Sequence, residues 1–339
     1  MVTIEDVANY AGVSVATVSR VLNNSSMVKP ATIQRVQEAI QKLNYIPNQS
    51  ARNLRRQESR VILALAPNFS NPYYSRILTG IGDRSHDRGY SLLICNTAGK
   101  EENEKLFLEM LKNHRADGAI MLGCQKDAGW LEEYAGLFPI VQCCEYVPHM
   151  HCPSVSIDNY SASLEMVRYL RGLGHKYIAM LGAHNRFIST QLRREGYLAV
   201  MEESKLDFSE SYYEDYYYEA DAEYTFASGQ LAARKLLALT PRPTAVFCVS
   251  DILALSVISV AQEKGLSVPD DLTVTGFDDV DYTTMFHPYL TTIAQPCYEM
   301  GQQSMELLLR LIHGRCDGNV SRTFVPYDLV ERESSALFQ

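Results

Sequence analysis

The sequence predicts a small all-α head, a short hinge and a two-lobed α/β body built on parallel sheets. Three observations carry this prediction. Residues Thr3 to Asn23 hold apolar side chains at helical spacing on both sides of a tight turn. From Val61 onward, apolar strand-like runs alternate with helix-period stretches through two roughly equal halves. The charge is also divided unevenly. The 339 residues carry a net −9, yet residues 1–60 hold eight Lys and Arg against four Asp and Glu, which leaves −13 on the remaining 279. A small basic head on an acidic body confines contact with a polyanion to the head.

In the head, Thr3 is placed to cap a first helix, with Asp6 at the reciprocal position of a capping box. Ile4, Val7 and Ala8 form its inward stripe. Gly12 suits a turn position of positive φ. Ser14 caps a second helix in which Val18, Val21 and Leu22 face inward. Val15, Ala16, Ser19 and Arg20 are left facing outward. A face of small residues with one arginine fits a DNA major groove, so the pair reads as a helix-turn-helix whose second helix does the reading. Pro30 opens a third helix to about Leu43, with Ile33, Val36, Ile40 and Leu43 as its stripe. Residues 1–47 are thus expected to form one DNA-binding domain.

Residues 48–60 form the hinge and linker. Gln49 to Arg56 has helical propensity but covers about two turns, too few to be stable alone in water. Leu54 stands among Arg52, Arg55 and Arg56. That composition fits a leucine wedged at a minor-groove base step with arginines along the groove. The plainer reading is a solvated basic linker; its place directly after a helix-turn-helix favours the wedge.

The spacing T-I-x-D-V-A, A-G-V-S-x-x-T-V-S-R-V-L-N, Y-x-P-N and A-R-x-L over residues 2–56 resembles the head and hinge of the LacI/GalR family of bacterial repressors. The resemblance implies a homodimer on a palindromic double-stranded DNA operator, with the paired hinges inserting Leu54 at its centre. It further implies Val15, Ala16 and Arg20 facing bases, Arg20 suited to guanine, and Arg55 in the minor groove. Thr3, Ser14, Thr17, Ser19, Asn23, Asn48, Ala51 and Arg52 complete the expected DNA-contacting set.

In the body (61–339), buried parallel strands are expected at Val61–Ala66, Ser91–Cys95, Gly118–Leu122, Ile140–Cys143, Tyr177–Leu181, Ala245–Val249 and Leu272–Gly276. Helices are expected at Tyr73–Arg88, Glu101–His114, Ser161–Leu173, Leu192–Glu203, Ala227–Leu239, Ile252–Lys264 and Tyr298–His313, several stopped by a glycine (Gly89, Gly174, Gly265). The first lobe is placed at about 61–159 plus 296–322, and the second at about 160–295 plus 323–339.

Ligands of open α/β sheets sit beyond the carboxyl ends of the strands, so residues following each strand make the pocket. They are Asn71, Tyr73 and Tyr74; Glu145; Asp158; Ser189 and Arg193; Tyr224; Ser250 and Asp251; Asp278; and Gln295. Aromatics, one arginine, carboxylates and amides together suit a small polyhydroxyl ligand. The family resemblance extends over the body and implies an effector pocket of the periplasmic-binding-protein type, with Tyr73, Tyr74 and Tyr224 sandwiching a ring and Arg193, Asp278 and Gln295 binding polar edges. Two positions depart from many relatives: Glu145 stands where an arginine or aromatic is common, and Ser250 where asparagine is common. The stretches Ala245–Asp251 and Leu290–Glu299 are most similar to a nucleoside-responsive member, so the expected effector is a sugar or a nucleoside.

Other signals weigh less. Cys143-Cys144 with His149, His151 and Cys152 matches no common zinc spacing and reads as core and loop, so neither metal nor cofactor is expected. The run Tyr212, Tyr213, Tyr216, Tyr217, Tyr218 reads as an aromatic edge strand and its loop. Asp251 and Asp278 have no nucleophile, metal motif or phosphate loop beside them, which argues against an enzyme. No secretory signal opens the chain and no apolar run is long enough to span a membrane. With eight scattered cysteines, this points to the cytoplasm and away from the alternative, a binding protein for sugar uptake. The tail, Leu329 to Gln339, holds no leucine heptads, which favours a dimer over larger assemblies.

Overall fold

A computed structural model describes residues 2–22, 27–45, 58–203, 217–220, 224–314 and 322–338. The chain divides into two compact units, Met1–Ser59 and Arg60–Gln339. Residues 48–57 of the hinge and six expected DNA contacts, Asn23, Asn48, Ala51, Arg52, Leu54 and Arg55, lie outside the described residues.

The head contains α1 (Ile4–Ala11), α2 (Val15–Leu22) and α3 (Pro30–Lys42). The Asp6 N–H donates to Thr3 Oγ1 at 3.3 Å, and the Thr3 N–H donates to Asp6 Oδ2 at 2.8 Å, closing the capping box. Gly12 ends α1 at φ 64°. Ser14 Oγ then accepts from the Thr17 N–H at 3.2 Å and starts α2. Val7, Ala8, Ala11, Val18, Val21, Val36 and Ala39 form the core. Ala16 and Arg20 are exposed, as expected, but Ser19 is half-buried and Val15 packs half-buried against the core. Helical Cα–Cβ bonds lean toward the N-terminus, so the first residue of α2 covers the turn rather than facing outward.

The body holds two six-stranded sheets. The first comprises β1 (Val61–Ala66), β2 (Ser91–Asn96), β3 (Gly118–Met121), β4 (Ile140–Cys143), β5 (Ser154–Ser156) and β11 (Arg322–Phe324), in the order β11-β5-β4-β3-β1-β2 and parallel throughout. The second comprises β6 (Ile178–Ala183), β7 (Tyr217–Ala220), β8 (Ala245–Cys248), β9 (Thr273–Asp278), β10 (Thr291–Ala294) and β12 (Asp328–Val330), in the order β12-β10-β9-β8-β6-β7. Here β12 runs antiparallel to β10, a departure from the wholly parallel expectation. The helices are α4 (Pro72–Asp87), α5 (Glu101–Lys112), α6 (Leu131–Leu137), α7 (Asn159–Gly172), α8 (Ile188–Glu203), α9 (Phe226–Leu236), α10 (Asp251–Glu263) and α11 (Cys297–Ile312). Helices α4 and α11 pack together on the first lobe, and α7 with α8 on the second.

Strands β5, β10, β11 and β12 and helix α6 go beyond the elements read from sequence. Each spans three to seven residues, too few to declare a period. The chain passes between the lobes after β5, after β10 and after β11. The boundary read at 322/323 falls inside β11, so the last passage lies beyond Phe324. Tyr217 and Tyr218 sit on β7, at the edge of the second sheet; Tyr212, Tyr213 and Tyr216 lie outside the described residues. No helix among the described residues is long and apolar enough to cross a membrane.

Candidate functional site

Strand ends and helix starts from both lobes meet at one chamber. Asn71, Tyr73, Tyr74 and Glu145 enter it from the first lobe, and Ser189, Arg193, Tyr224, Ser250 and Asp278 from the second. Its free volume is about 20 Å³, roughly that of one water molecule. Asn71, Tyr74 and Tyr224 also line a wider outer chamber of about 330 Å³. Pro67, Asn68, Ala98, Gly99, Gln125 and the segment His184–Phe187 complete its wall.

Local capping positions several of these groups. Asn71 Oδ1 accepts from the Tyr73 N–H at 3.0 Å and starts α4, which presents Tyr73 and Tyr74 with their rings edge to face, 5.3 Å apart. Ser250 caps α10 by accepting from the Leu253 N–H at 3.4 Å. Tyr224 (φ 56°) and Asp278 (φ 119°) hold the left-handed region, as does Cys144 (φ 71°) beside Glu145. Such conformations in non-glycine residues cost energy and persist where the surroundings enforce them, most often at functional sites.

Arg193 is buried at the centre of the polar network. Its Nε donates to Asn159 Oδ1 at 2.9 Å and its Nη1 to the Val249 carbonyl at 2.6 Å. The guanidinium lies 3.6 Å from the centre of the Phe277 ring, and Nη1 is 3.8 Å from Asp278 Oδ1. Gln295 stands behind the chamber wall, donating to Asp278 Oδ1 at 2.7 Å and accepting from the Tyr73 hydroxyl at 3.2 Å. Glu145 accepts the Ser189 N–H at 3.1 Å and the Ser189 hydroxyl at 2.5 Å, joining the two lobes. Burial pushes the Glu145 carboxyl up, and it lifts that of Asp278 to about 7. Burial likewise keeps the Tyr73, Tyr74 and Tyr224 phenols protonated.

Two expected pocket residues are turned elsewhere. Asp158 caps α7, accepting from the Ser161 N–H at 3.0 Å and hydroxyl at 2.7 Å. Asp251 is wholly buried and accepts from the Val280 N–H at 2.9 Å and the Thr292 hydroxyl at 2.6 Å. Both carboxylates satisfy backbone and hydroxyl donors inside the second lobe, and neither lines the chamber. Conversely, Asn159 beside Asp158 does serve the chamber by orienting Arg193, and the outer wall His184–Phe187 was not picked out from sequence. The latter directly follows a strand, and the strand-end rule applied there finds it. Asn185 donates to the Tyr224 hydroxyl at 3.0 Å, and Thr190 bonds the same oxygen at 2.8 Å.

Among the described residues no group of three or more His, Cys, Asp or Glu could hold a metal ion. Cys143 and Cys144 are buried with their sulfurs 3.6 Å apart, the Cys152 thiol donates to the Ile140 carbonyl, and His149 and His151 are exposed.

The chain matches two known families: bacterial regulatory proteins of the lacI family over residues 3–48, and the periplasmic binding protein-like domain over residues 167–335. It is 39% identical over 322 residues to the HTH-type transcriptional repressor CytR of Escherichia coli (strain K12), covering 94% of this chain and 92% of that protein. To the HTH-type transcriptional repressor PurR of Vibrio cholerae serotype O1 (strain M66-2) it is 34% identical over 316 residues, 92% of each. The crystal structure of the Lac repressor dimer bound to operator and the anti-inducer ONPF superposes with a TM-score of 0.86 at 29% identity, over 99% of both chains. With head, body and topology all accounted for, this chain belongs to the lacI family of bacterial regulatory proteins and is a DNA-binding transcriptional repressor.

Proposed function

We propose that this repressor acts in the cytoplasm as a homodimer on a palindromic operator, and that a small polar ligand held between its lobes controls its grip on DNA. Ala16 and Arg20 on the exposed face of α2 read bases, with Thr3, Ser14, Thr17 and Ser19 toward the backbone. The hinge residues Asn48, Ala51, Arg52, Leu54 and Arg55 engage the minor groove when the hinges of two subunits pair. The ligand acts by favouring one arrangement of the lobes over another, which changes the separation of the two hinges.

One observation carries the ligand half of this reading: side chains from both lobes converge on a buried polar chamber with aromatic walls. Relatives point the same way, since solved structures with this fold include a cellobiose complex and the Lac repressor with an anti-inducer. Two exposed apolar surfaces support the dimer. One is the outer edge strand of the first sheet, where Leu93 and Ile94 are 40% and 44% exposed. The other is a groove of about 430 Å³ on the second lobe, lined by Phe226, Leu255, Tyr282 and Phe286 among others.

The test of the DNA half is Arg20→Ala in a gel-shift titration. Loss of one bidentate base contact, worth about 1–3 kcal/mol, weakens operator binding by roughly 5- to 150-fold. Ligand binding measured by calorimetry stays unchanged. Equal operator affinity for variant and parent removes Arg20 from the reading set.

A further inference from the structure

The inner chamber holds an unbalanced set of charges. Glu145 and Asp278 face it, and a third carboxyl, Asp251, is buried outside its lining. Arg193 is the one cation among the described residues lining this chamber, and its guanidinium is already bound to Asn159, to the Val249 carbonyl and beside Asp278. The basic side chains around the outer chamber are engaged as well. Arg186 pairs with Asp127, and His184 Nδ1 lies 2.9 Å from Glu219 Oε2. A carboxylate has about four acceptor positions. Glu145 uses two of them on Ser189, and Asp278 uses one on Gln295. The capacity left over in the chamber is therefore for accepting hydrogen bonds, not for neutralising negative charge.

From this we infer that the effector is an uncharged molecule rich in O–H or N–H donors, which it directs at Glu145 and Asp278, and that its phosphorylated or carboxylated counterpart is refused. The inference rests on the ligand-controlled reading above and narrows it to one chemical class. A hydroxylated or amino-bearing ring supplies the donors that the two carboxyls lack. Above about pH 7, where Asp278 is ionised, an anion meets like charge in a confined space, and the one cation among the described lining residues is already committed.

The test uses the full chain at pH 8 and matched pairs: adenosine, cytidine, ribose and glucose, each beside its monophosphate. Affinities are measured by titration calorimetry after a thermal-shift screen. The expected result is that at least one neutral compound binds and that its phosphate binds roughly 100-fold more weakly or not at all, since like-charge juxtaposition at a buried site is strongly unfavourable. In Glu145→Gln and Asp278→Asn the gap narrows, because the neutral partner loses an acceptor while the phosphate loses a repelling charge. A phosphate that binds as tightly as its parent overturns the inference. A gap as wide in both variants as in the parent also overturns it, by assigning the refusal to shape. If no member of any pair binds, the ligand-controlled reading of the chamber fails and takes the inference with it.

Discussion

Burial pushes the Asp278 carboxyl up to about 7 against the opposing pulls of Arg193 and the Gln295 amide. An unfolded aspartate titrates near 4, so between about pH 4 and 7 the folded chain holds a proton that the unfolded chain has lost. The stability contributed by that proton is fully present below the unfolded value and is lost as pH rises through about 7. Glu145, Asp251 and Glu104 shift in the same direction, each chiefly by burial. The unliganded protein is therefore expected to be more stable at pH 6 than at pH 8. Asp278→Asn should remove about 1.4 kcal/mol of that difference, the value for one group titrating near 7 over this interval. Urea unfolding of both proteins at the two pH values measures it. An identical pH slope in parent and variant would show that Asp278 does not titrate in this range.

At the scale of elements, α4 and α11 cross at unusually short range. A Cβ on Gly80 would collide with the Tyr298 carbonyl, and one on Gly301 with the Ile77 carbonyl, so each helix meets the other's backbone through a glycine. Gly80→Ala or Gly301→Ala forces the pair apart and should cost about 1–3 kcal/mol, the usual range for an overpacked core, read as a lower urea midpoint. A midpoint unchanged in both would mean that the helices separate at no cost. Neither glycine was legible as a packing device in the sequence, because helical spacing says which face is buried but not how closely a neighbour approaches. The long elements were legible for the opposite reason. Runs such as Val61–Ala66 and Ala245–Cys248 are apolar end to end, which marks strands buried on both faces. Knowing where those strands stop located most of the chamber. It did not separate carboxylates of the same type at similar positions. Asp251 follows Ser250, which lines the chamber, yet turns inward to hold Val280 and Thr292. That choice depends on the Val280 N–H just beyond β9 and on the Thr292 hydroxyl of β10, a four-residue strand too short to announce itself.

Over the whole body, the lobes are fastened to each other at three depths. Deepest is Glu145 with Ser189. Along one side, Arg76 on α4 donates to the Asp279 carbonyl at 2.7 Å, and Arg332 holds the same residue's carboxylate, also at 2.7 Å. At the mouth, Lys126 donates from its backbone to the Arg186 carbonyl at 2.9 Å and from Nζ to Gln191 at 2.6 Å, while Asp127 pairs with Arg186. With these contacts closed, the inner chamber has room for about one water. A ring of any kind must wait for the lobes to part. At the mouth the Asp127–Arg186 pair is exposed, so it should govern passage rather than final affinity. An exposed pair contributes at most about 1 kcal/mol, or roughly a fivefold change in rate. Asp127→Arg, which sets two cations against each other, should speed release of a bound ligand by about that factor, with the effect shrinking as salt screens the charges. Joining it to Arg186→Asp restores an opposite pair and should return the rate toward the parent's. Stopped-flow release from preloaded protein, followed at low and high ionic strength, reads both variants. Release that is equally fast in the single and the swapped protein would assign the effect to the loop's shape, whereas recovery in the swap places the barrier in the attraction between these two side chains.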